Sequence, residues 1–301
     1  MLARLALAVA AAAGVAGVAA GAAWAVGWLA AAWRGQRPVD PVAWRWGFLQ
    51  VRWYGLLVAA AFVPGWYLAK PEMARARLHP DQVAHAALWT LPLAVAGARL
   101  GYVVQNLADF ARSPLQALQV WEGGLSIHGA LAGVAVAVGW YSRRFRVPAA
   151  VLADLAAPSV LLGQAIGRWG NFFNQELFGY PTRLPWGLYV PAPLRPAGME
   201  QAAFFHPVFF YESVLDALGA ALLVAWRRRR RRWGEVAAAY LVVYAAIRWL
   251  VEWVRIGQVF LAGMTLAQWV SLAQAAVGVG WWLRLRTAAS AAPPAAPPAA
   301  P

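Results

Sequence analysis

Long apolar segments separated by short polar connections dominate the pattern of this chain. Eight such segments can be distinguished, each close to the roughly 20 residues that cross a bilayer as an α-helix. They span approximately residues 5–33, 51–69, 83–105, 125–141, 149–169, 208–226, 235–254 and 264–283. The pattern therefore predicts an all-α, polytopic transmembrane protein.

The basic residues of the connections fall into two alternating sets, with fourteen residues in one and three in the other. The richer set comprises Lys70, Arg75, Arg77, Arg143, Arg144, Arg146, the run Arg227–Arg232, Arg284 and Arg286, and the poorer set comprises Arg112, Arg183 and Arg195. Because cytoplasmic loops of membrane proteins carry an excess of basic residues, the richer set is predicted to be cytoplasmic. This orientation places residues 170–207 on the extracytoplasmic side and the C-terminus in the cytoplasm.

Composition agrees with a membrane protein. Of the 301 residues, 62% are hydrophobic and only 13% are charged, which is too apolar for a soluble domain of this length. The formal charge of +14 does not indicate nucleic-acid binding, because the basic residues lie between apolar runs. With no cysteine, the chain has no disulfide and no thiolate metal site. Metal-ligand spacings, phosphate loops and dinucleotide motifs are also missing from the sequence, so we expect neither a metal nor a cofactor.

The two ends of the chain differ from its middle. Residues 1–38 hold an alanine- and glycine-rich apolar segment, which we interpret as an extra N-terminal helix. A cleaved signal sequence and a mis-assigned start codon are the alternatives. Residues 288–301 are a low-complexity Ala/Pro run that is expected to be disordered. Between them, residues 39–287 are predicted to form the membrane domain, with a proline-rich, irregular cap at about 175–205.

The densest group of polar residues lies where the segment 149–169 ends. One arginine, two asparagines, a glutamine and a glutamate are concentrated within Gly167–Gly179. Charged and polar groups at membrane depth are costly and are found mostly where they pair or line a functional cavity. The glycines among them allow close approach of a backbone or a ligand. We therefore predict a polar site that opens to the extracytoplasmic side.

A second polar group lies at the end of the segment 235–254. Arg248, Glu252 and Arg255 stand at positions i, i+4 and i+7, which is one face of a helix. One interpretation is an ion-pair ladder that holds helices together. The other is a glutamate-braced arginine pair that binds an anion, since the planar guanidinium forms parallel bonds to phosphate. Because Arg168 belongs to the same layer, Arg168 and Arg248 are expected to bind one phosphate from different helices.

Single polar residues lie near the outer ends of other segments. His128 follows Gly123-Gly124 within a few residues and directly precedes Gly129, so it is a candidate acid–base group, although a lone histidine is more often structural. Tyr54 is either an interfacial anchor or a hydrogen-bonding partner for a polar head group. Arg99 and Tyr102 place another cation and hydroxyl near a helix end. Glu212 lies inside a segment, where an unpaired carboxylate would be costly, so we expect an arginine partner.

Together these motifs resemble the prolipoprotein diacylglyceryl transferases, membrane enzymes that begin bacterial lipoprotein maturation. The resemblance runs from about Asp40 to Ser271 and excludes the first segment and the tail. Its most specific part is Gly-Arg-x-Gly-Asn-Phe-x-Asn-x-Glu-x-x-Gly at Gly167–Gly179. The supporting motifs are Trp53–Gly55, Gly97–Tyr102, Gly123–Gly129, His206-Pro207 with Tyr211-Glu212, and Arg248 with Glu252 and Arg255.

The resemblance implies a seven-helix core in the bacterial cytoplasmic (inner) membrane. It also implies that the diacylglyceryl group of phosphatidylglycerol moves to the thiol of the lipobox cysteine in a preprolipoprotein signal peptide. The products are a thioether and glycerol phosphate. Because the thiol arrives with the peptide, an enzyme without cysteine is consistent with this reaction. A lipid transporter or flippase that uses the same polar pocket is the alternative.

For this reaction we hypothesise roles for the candidate residues. Arg168 and Arg248 would bind the phosphate, with Glu252 and Glu176 bracing the guanidiniums. His128 would be the general base for the thiol, although the field of the arginines is an alternative means of activation.

Further residues complete the predicted site. Tyr54 is assigned as a catalytic residue together with His128, Arg168 and Arg248. It would also bind the head group or the peptide backbone, together with Asn171 and Asn174. Gly179 would permit a chain turn, and Arg255 would be a further cation behind the site. Arg99 and Tyr102 are also assigned to substrate binding.

Overall fold

The computed structural model describes residues 22–47, 49–119 and 123–287, and this part of the chain is mostly helical. Its helices are α1 (Ala22–Trp33), α2 (Trp53–Arg75), α3 (Pro80–Gln105), α4 (Leu107–Arg112), α5 (Ile127–Phe145), α6 (Ala149–Asn174), α7 (Val208–Trp226), α8 (Glu235–Glu252) and α9 (Leu266–Thr287). Short 3₁₀ turns follow at Pro114–Leu118 and Ala192–Leu194. Each predicted apolar segment thus contains a helix. The first part of the N-terminal segment, Glu122 and the Ala/Pro tail lie outside the described residues.

Three small antiparallel sheets of two strands each accompany the helices in the described part of the chain, and the all-α prediction did not include them. They pair β1 (Val42–Trp46) with β2 (Leu49–Arg52), β3 (Leu188–Tyr189) with β4 (Phe204–Phe205), and β5 (Phe260–Leu261) with β6 (Met264–Thr265). The first hairpin occupies residues just before α2, so α2 begins two residues later than the predicted segment. The second lies in the region predicted to be irregular.

Three of the described helices are long and apolar enough to cross a membrane. They are α3, α6 and α7, and each holds an 18-residue window of high mean hydropathy. This finding is consistent with a helical membrane protein.

The described residues divide into two compact units. Unit 1 is drawn from the ranges 1–60, 164–215 and 247–269, and unit 2 from 61–163, 216–246 and 270–301. Aromatic side chains from α1, α6 and α7 form the core of unit 1, with Phe172 and Phe209 fully buried. The core of unit 2 lies between α2, α5 and α6, where Met73, Tyr141 and Leu155 are buried.

Glycines set the packing of α3 against α5 in unit 2. A Cβ atom built on Gly129 would lie 2.2 Å from the carbonyl oxygen of Gly97, and one on Gly133 would lie 2.1 Å from that of Leu93. Both helices therefore carry a small-residue repeat, Gly97–Gly101 and Gly129–Gly133, that lets their backbones touch, as in other membrane helix pairs. The glycine after His128 is explained by this packing.

Candidate functional site

The polar signature lies at the C-terminal end of α6 and in the turn that follows. Gln175 and Leu177 adopt positive φ values of 55° and 58°. The amide of Glu176 donates to the carbonyl oxygen of Asn171 at 3.0 Å, which closes the last turn of the helix. A left-handed conformation costs a residue with a Cβ atom about 1–2 kcal/mol, so this turn is held by its surroundings. It directs Glu176 back towards the helix end.

Glu176 organises the two asparagines of the signature. Its Oε1 accepts hydrogen bonds from Nδ2 of Asn171 at 2.8 Å and from Nδ2 of Asn174 at 3.0 Å. These bonds orient both amides, so the oxygen of each side chain is the group left to accept a bond. Among the described residues, Oδ1 of Asn174 is buried and has no hydrogen-bond partner. That Glu176 braces a guanidinium stays a prediction.

Glu212 connects two arginines that come from different helices. Its Oε1 accepts from Nη1 of Arg248 at 2.8 Å, and its Oε2 lies 3.1 Å from Nε of Arg168 in an ion pair whose geometry is not that of a hydrogen bond. Nη2 of Arg248 also donates to Oε2 of Glu252 at 3.1 Å. Glu212 therefore has the arginine partner expected for it, and Glu252 pairs with Arg248; that Glu252 braces a phosphate-binding guanidinium stays a prediction. Arg168 and Arg248 converge, as predicted.

Exposure differs between the anions and cations of this network. The side chain of Glu212 is 0% exposed, whereas those of Arg168 and Arg248 are 20% and 16% exposed. Buried charges are tolerated only when they are paired, which explains the carboxylate at the centre. An external anion would therefore reach the guanidiniums and not the carboxylate.

Gly179 lies where two backbone segments of unit 1 meet. Its amide donates to the carbonyl oxygen of His206 at 2.8 Å, and the amide of Tyr180 donates to that of Val254 at 3.0 Å. A Cβ atom at Gly179 would lie 2.0 Å from the Val254 oxygen. This close approach requires a glycine at position 179; that it also permits a chain turn beside the cluster stays a prediction.

Arg255 follows the end of α8 and pairs with Gly179 in an isolated β-bridge. Burial lowers the pKa of Arg255, and the positive charge of Arg248 lowers it further, whereas Glu212 and Glu252 raise it. Arg255 therefore feels the charges of the paired arginines and glutamates, and its predicted role as a cation behind the site stays a prediction.

Tyr54 lies against the signature helix. It is the second residue of α2, and a Cβ atom built on Gly170 would lie 2.2 Å from Cδ2 of its ring. Glycine at position 170 therefore makes room for the tyrosine ring beside Asn171. Tyr54 as a whole is 41% exposed.

A hydrogen-bonded chain of three side chains includes Tyr211, which precedes Glu212 in the sequence, and sequence reasoning assigned it no role in the site. Nε1 of Trp186 donates to the hydroxyl oxygen of Tyr211 at 2.9 Å, and that oxygen lies 3.1 Å from Nδ1 of His206. Burial lowers the pKa of His206, which favours a neutral imidazole beside the Tyr211 hydroxyl. The motif of His206-Pro207 with Tyr211-Glu212 was the signal that could have revealed it.

Arg99, Tyr102 and His128 belong to unit 2. Nε of Arg99 donates to the carbonyl oxygen of Ala117 at 2.9 Å, and Nη1 donates to those of Gly123 and Gly124 at 2.6 and 3.0 Å. The guanidinium is nearly buried and holds the loop before α5 in place.

The aromatic ring of Tyr102 supports the same loop. It packs on Gly124, where a Cβ atom would lie 2.5 Å from Cε1 of the ring. These contacts explain Arg99 and Tyr102 structurally, and their assignment to substrate binding stays a prediction. His128 is exposed in the first turn of α5.

Potential metal ligands do not cluster in the described part of the chain. Within residues 22–47, 49–119 and 123–287, no three His, Cys, Asp or Glu side chains come together in a group that could hold a metal ion.

Comparison with known proteins gives the family. A family model described as prolipoprotein diacylglyceryl transferase matches residues 41–284. A relative from Thermosynechococcus vestitus is 40% identical over 239 residues, which cover 78% of this chain and 88% of the relative. A relative from Gloeobacter violaceus is 40% identical over 253 residues, which cover 82% of this chain and 94% of the relative. A relative from Pediococcus pentosaceus is 36% identical over 238 residues, which cover 78% of this chain and 86% of the relative.

All three relatives bear the name phosphatidylglycerol–prolipoprotein diacylglyceryl transferase. The matched residues include α2 to α8 and most of α9, whereas α1 lies outside them. The resemblance inferred from the motifs is confirmed. This chain belongs to the prolipoprotein diacylglyceryl transferase family.

Proposed function

We propose that this chain transfers the diacylglyceryl group of phosphatidylglycerol to the thiol of the lipobox cysteine in a prolipoprotein. The names of its relatives state the lipid and the protein substrate for those proteins. The observation that supports the proposal most directly is the pair of partly exposed guanidiniums, Arg168 and Arg248, that share the buried carboxylate of Glu212.

The chemistry requires stabilisation of a phosphate leaving group. The carbon–oxygen bond between the diacylglycerol carbon and the phosphate breaks, and a sulfur–carbon bond forms in its place. The thiol loses its proton, and the phosphodiester becomes a phosphomonoester, which carries more negative charge. Fixed guanidiniums stabilise charge that develops on such a leaving group. We assign this role to Arg168 and Arg248, with Glu252 bracing Arg248 and Arg255 adding positive charge behind them.

The asparagines suit the glycerol head group. Because the amide nitrogen of Asn174 donates to Glu176, its Oδ1 is oriented as an acceptor and lacks a partner among the described residues. A glycerol hydroxyl is a donor that would satisfy it. We propose that Asn174 and Asn171 bind the head group and that Glu176 holds their amides. Tyr54 would bind the head group or the peptide backbone from the other side of Gly170.

The thiol must lose a proton to become a nucleophile. We assign this step to His128, which is exposed at the start of α5. The positive field of the arginines is the alternative source of activation. If His128→Gln retains normal transfer across a pH series, the assignment of the base is wrong and the arginine field is sufficient.

We infer that the chain spans the inner membrane with α2, α3 and α5–α9 as the family core. The distribution of fourteen basic residues against three supports a site on the extracytoplasmic side and a cytoplasmic C-terminus. Residues at about 175–205 would form the cap, and 288–301 a disordered tail.

We also infer that α1 is retained as part of the folded protein. The ring of Trp33 stacks on Phe172 at 5.9 Å between centroids, and its Nε1 donates to the carbonyl oxygen of Trp186 at 3.0 Å. These contacts support retention because a cleaved segment would leave the aromatic core of unit 1 incomplete.

The test uses the full chain reconstituted in nanodiscs with a lipobox peptide and phosphatidylglycerol as the sole anionic lipid. We expect a thioether-linked peptide by mass spectrometry and stoichiometric release of glycerol phosphate. Phosphatidylethanolamine in place of phosphatidylglycerol should give no product. Lipid movement without peptide modification would contradict the proposal and favour a transporter. Normal turnover by Arg168→Ala or Arg248→Ala would contradict the phosphate assignment.

A further inference from the structure

Three arginines of unit 2 gather on one buried glutamate at the C-terminal end of α2. The side chain of Glu72 is 2% exposed, and its Oε1 accepts from Nη1 of Arg75 at 2.6 Å. Its Oε2 accepts from Arg230, and Nε of Arg227 lies 3.5 Å from Oε1. Arg75, Arg227 and Arg230 with Glu72 are called the Glu72 cluster below. No role in transfer has been assigned to any of these residues.

The Glu72 cluster has more positive than negative charge. The side chains of Arg227 and Arg230 are each 11% exposed, so water reaches them poorly. Burial lowers the pKa of Arg227, Glu72 raises it, and Arg75, Arg228 and Arg230 lower it. One carboxylate therefore faces three guanidiniums, of which those of Arg227 and Arg230 are poorly hydrated and that of Arg75 is 48% exposed.

A second carboxylate nearby, that of Asp154, already accepts hydrogen bonds from the backbone. Asp154 interacts electrostatically with Arg230, but its oxygens accept from the backbone amides of Gly234 at 2.9 Å and Ala237 at 2.8 Å. It thereby satisfies free amides at the N-terminal end of α8. Even with Asp154 counted, the three arginines of the cluster exceed the carboxylates around them. An anion from outside the protein would balance the excess.

The surroundings of the cluster suit a lipid better than a free ion. Arg227 directly follows α7, whose outward side presents Leu218 and Leu222, 62% and 54% exposed. These residues stand two turns and one turn before Trp226, an amphipathic side chain typical of the membrane interface. An acyl chain can lie along the leucines while the phosphate reaches the arginines. Basic pockets at the cytoplasmic ends of membrane helices bind anionic head groups in this manner.

We propose that the Glu72 cluster binds the phosphate group of an anionic phospholipid of the cytoplasmic leaflet. The site is separate from the residues assigned to transfer, and its role is to hold the end of α2 to the segment that follows α7. The proposal rests on the membrane orientation given under the proposed function, but not on the transfer reaction.

The test measures lipid binding to the full-length protein in detergent by native mass spectrometry, without peptide. The probe is dioleoylphosphatidylserine, with dioleoylphosphatidylcholine as the zwitterionic comparison. Arg227→Gln should weaken binding of phosphatidylserine about five-fold. Arg228→Gln is the matched control, because it removes the same charge from an exposed neighbour in the same run. We expect less than half of that effect from the control.

Two further variants keep the proposal falsifiable if Arg227→Gln does not fold. Arg230→Gln should weaken binding similarly, and Glu72→Gln should strengthen it, because the cluster then lacks its competing carboxylate. If Arg227→Gln and Arg228→Gln lose phosphatidylserine binding equally, the lipid is bound by general surface charge and the proposed site is wrong. Equal binding of the two lipids would overturn it as well, and so would displacement of phosphatidylserine by millimolar inorganic phosphate. A failure here would leave the transfer assay unaffected, so the two proposals are tested separately.

Discussion

Glu212 and Arg248 pair across α7 and α8, with 2.8 Å between Oε1 and Nη1. The other oxygen of the same carboxylate lies 3.1 Å from Nε of Arg168 on α6. One fully buried carboxylate therefore fixes the separation of two arginines that arise from distant parts of the sequence. Without it, the two guanidiniums would repel each other.

The first prediction concerns Glu212→Gln, which keeps the volume of the side chain and removes its charge. We expect transfer to fall about 10²-fold, since small displacements of positioning groups have effects of this size. Melting of the protein in detergent should also occur at lower temperature, because an uncompensated buried charge is strongly destabilising. Glu200→Gln is the control, since Glu200 is an exposed carboxylate of the same unit. Wild-type kcat and KM in Glu212→Gln would contradict the role of the carboxylate.

The second prediction concerns the shape of the cation at position 248. Arg248 uses Nη1 for Glu212 and Nη2 for Glu252, so it contacts two carboxylates at once. A lysine has one nitrogen and cannot reproduce this fork. Arg248→Lys should therefore raise the KM for phosphatidylglycerol and lower kcat, so that kcat/KM falls by about tenfold or more. Arg183→Lys, at an exposed position of the same unit, should leave both constants unchanged.

The helices and the polar layer could be predicted from the sequence because both follow from hydropathy. Apolar segments of the right length specify helices, and polar residues at their ends mark the site. The partner of Glu212 was predicted to be an arginine, but the sequence did not show which arginine. Pairing between α6, α7 and α8 depends on how the helices meet, which residue spacing within one helix does not reveal.

Other features had no visible signal in the sequence. The turn after α6 uses Gln175 and Leu177 in a left-handed conformation, which residue type would not suggest. The guanidinium of Arg99 is held by backbone carbonyls, and these carry no signature in side-chain patterns. The β1–β2 hairpin was missed because its tryptophans also suit a membrane interface.

The third prediction compares two glycines of the signature. A Cβ atom at Gly170 would lie 2.2 Å from the ring of Tyr54, whereas one at Gly167 would lie 3.9 Å from Val58, an ordinary contact. Gly170→Ala should displace Tyr54 and lower transfer at least about tenfold. Gly167→Ala should leave activity near normal, because alanine also favours a helix. Equal activity of the two variants would show that Tyr54 has no fixed position in the site.

The fourth prediction concerns α1 and uses two tryptophans of the same helix. Trp33 packs on Phe172, Phe209 and Phe210, whereas Trp24 is 69% exposed. Trp33→Ala should destabilise the protein by about 2 kcal/mol, from the loss of several aromatic contacts. Trp24→Ala should have little effect, and Trp33→Phe should restore most of the stability. Thermal melting in detergent measures this, and intact mass of protein purified from membranes shows whether α1 is present. A mature protein that lacks α1 would contradict its retention.

The last prediction concerns the pH dependence caused by His206. Burial lowers the pKa of its imidazole below the ordinary value of 6.5, so the folded state disfavours the protonated form. Between the lowered pKa and 6.5, the unfolded chain binds more protons than the folded one. Stability is therefore fully present above about pH 6.5 and is lost as the pH falls through the folded-state pKa.

Melting temperatures of the wild type in detergent over about pH 5 to 8 should show this loss of stability towards acid pH. The variant His206→Gln should show a smaller loss. His85→Gln, which removes an exposed imidazole, is the control and should keep the wild-type slope. Because His206 bonds to Tyr211, the residue before Glu212 in the sequence, protonation should also lower transfer over the same pH range in the wild type. If His206→Gln and the wild type lose stability in parallel as the pH falls, another group is responsible for the acid sensitivity.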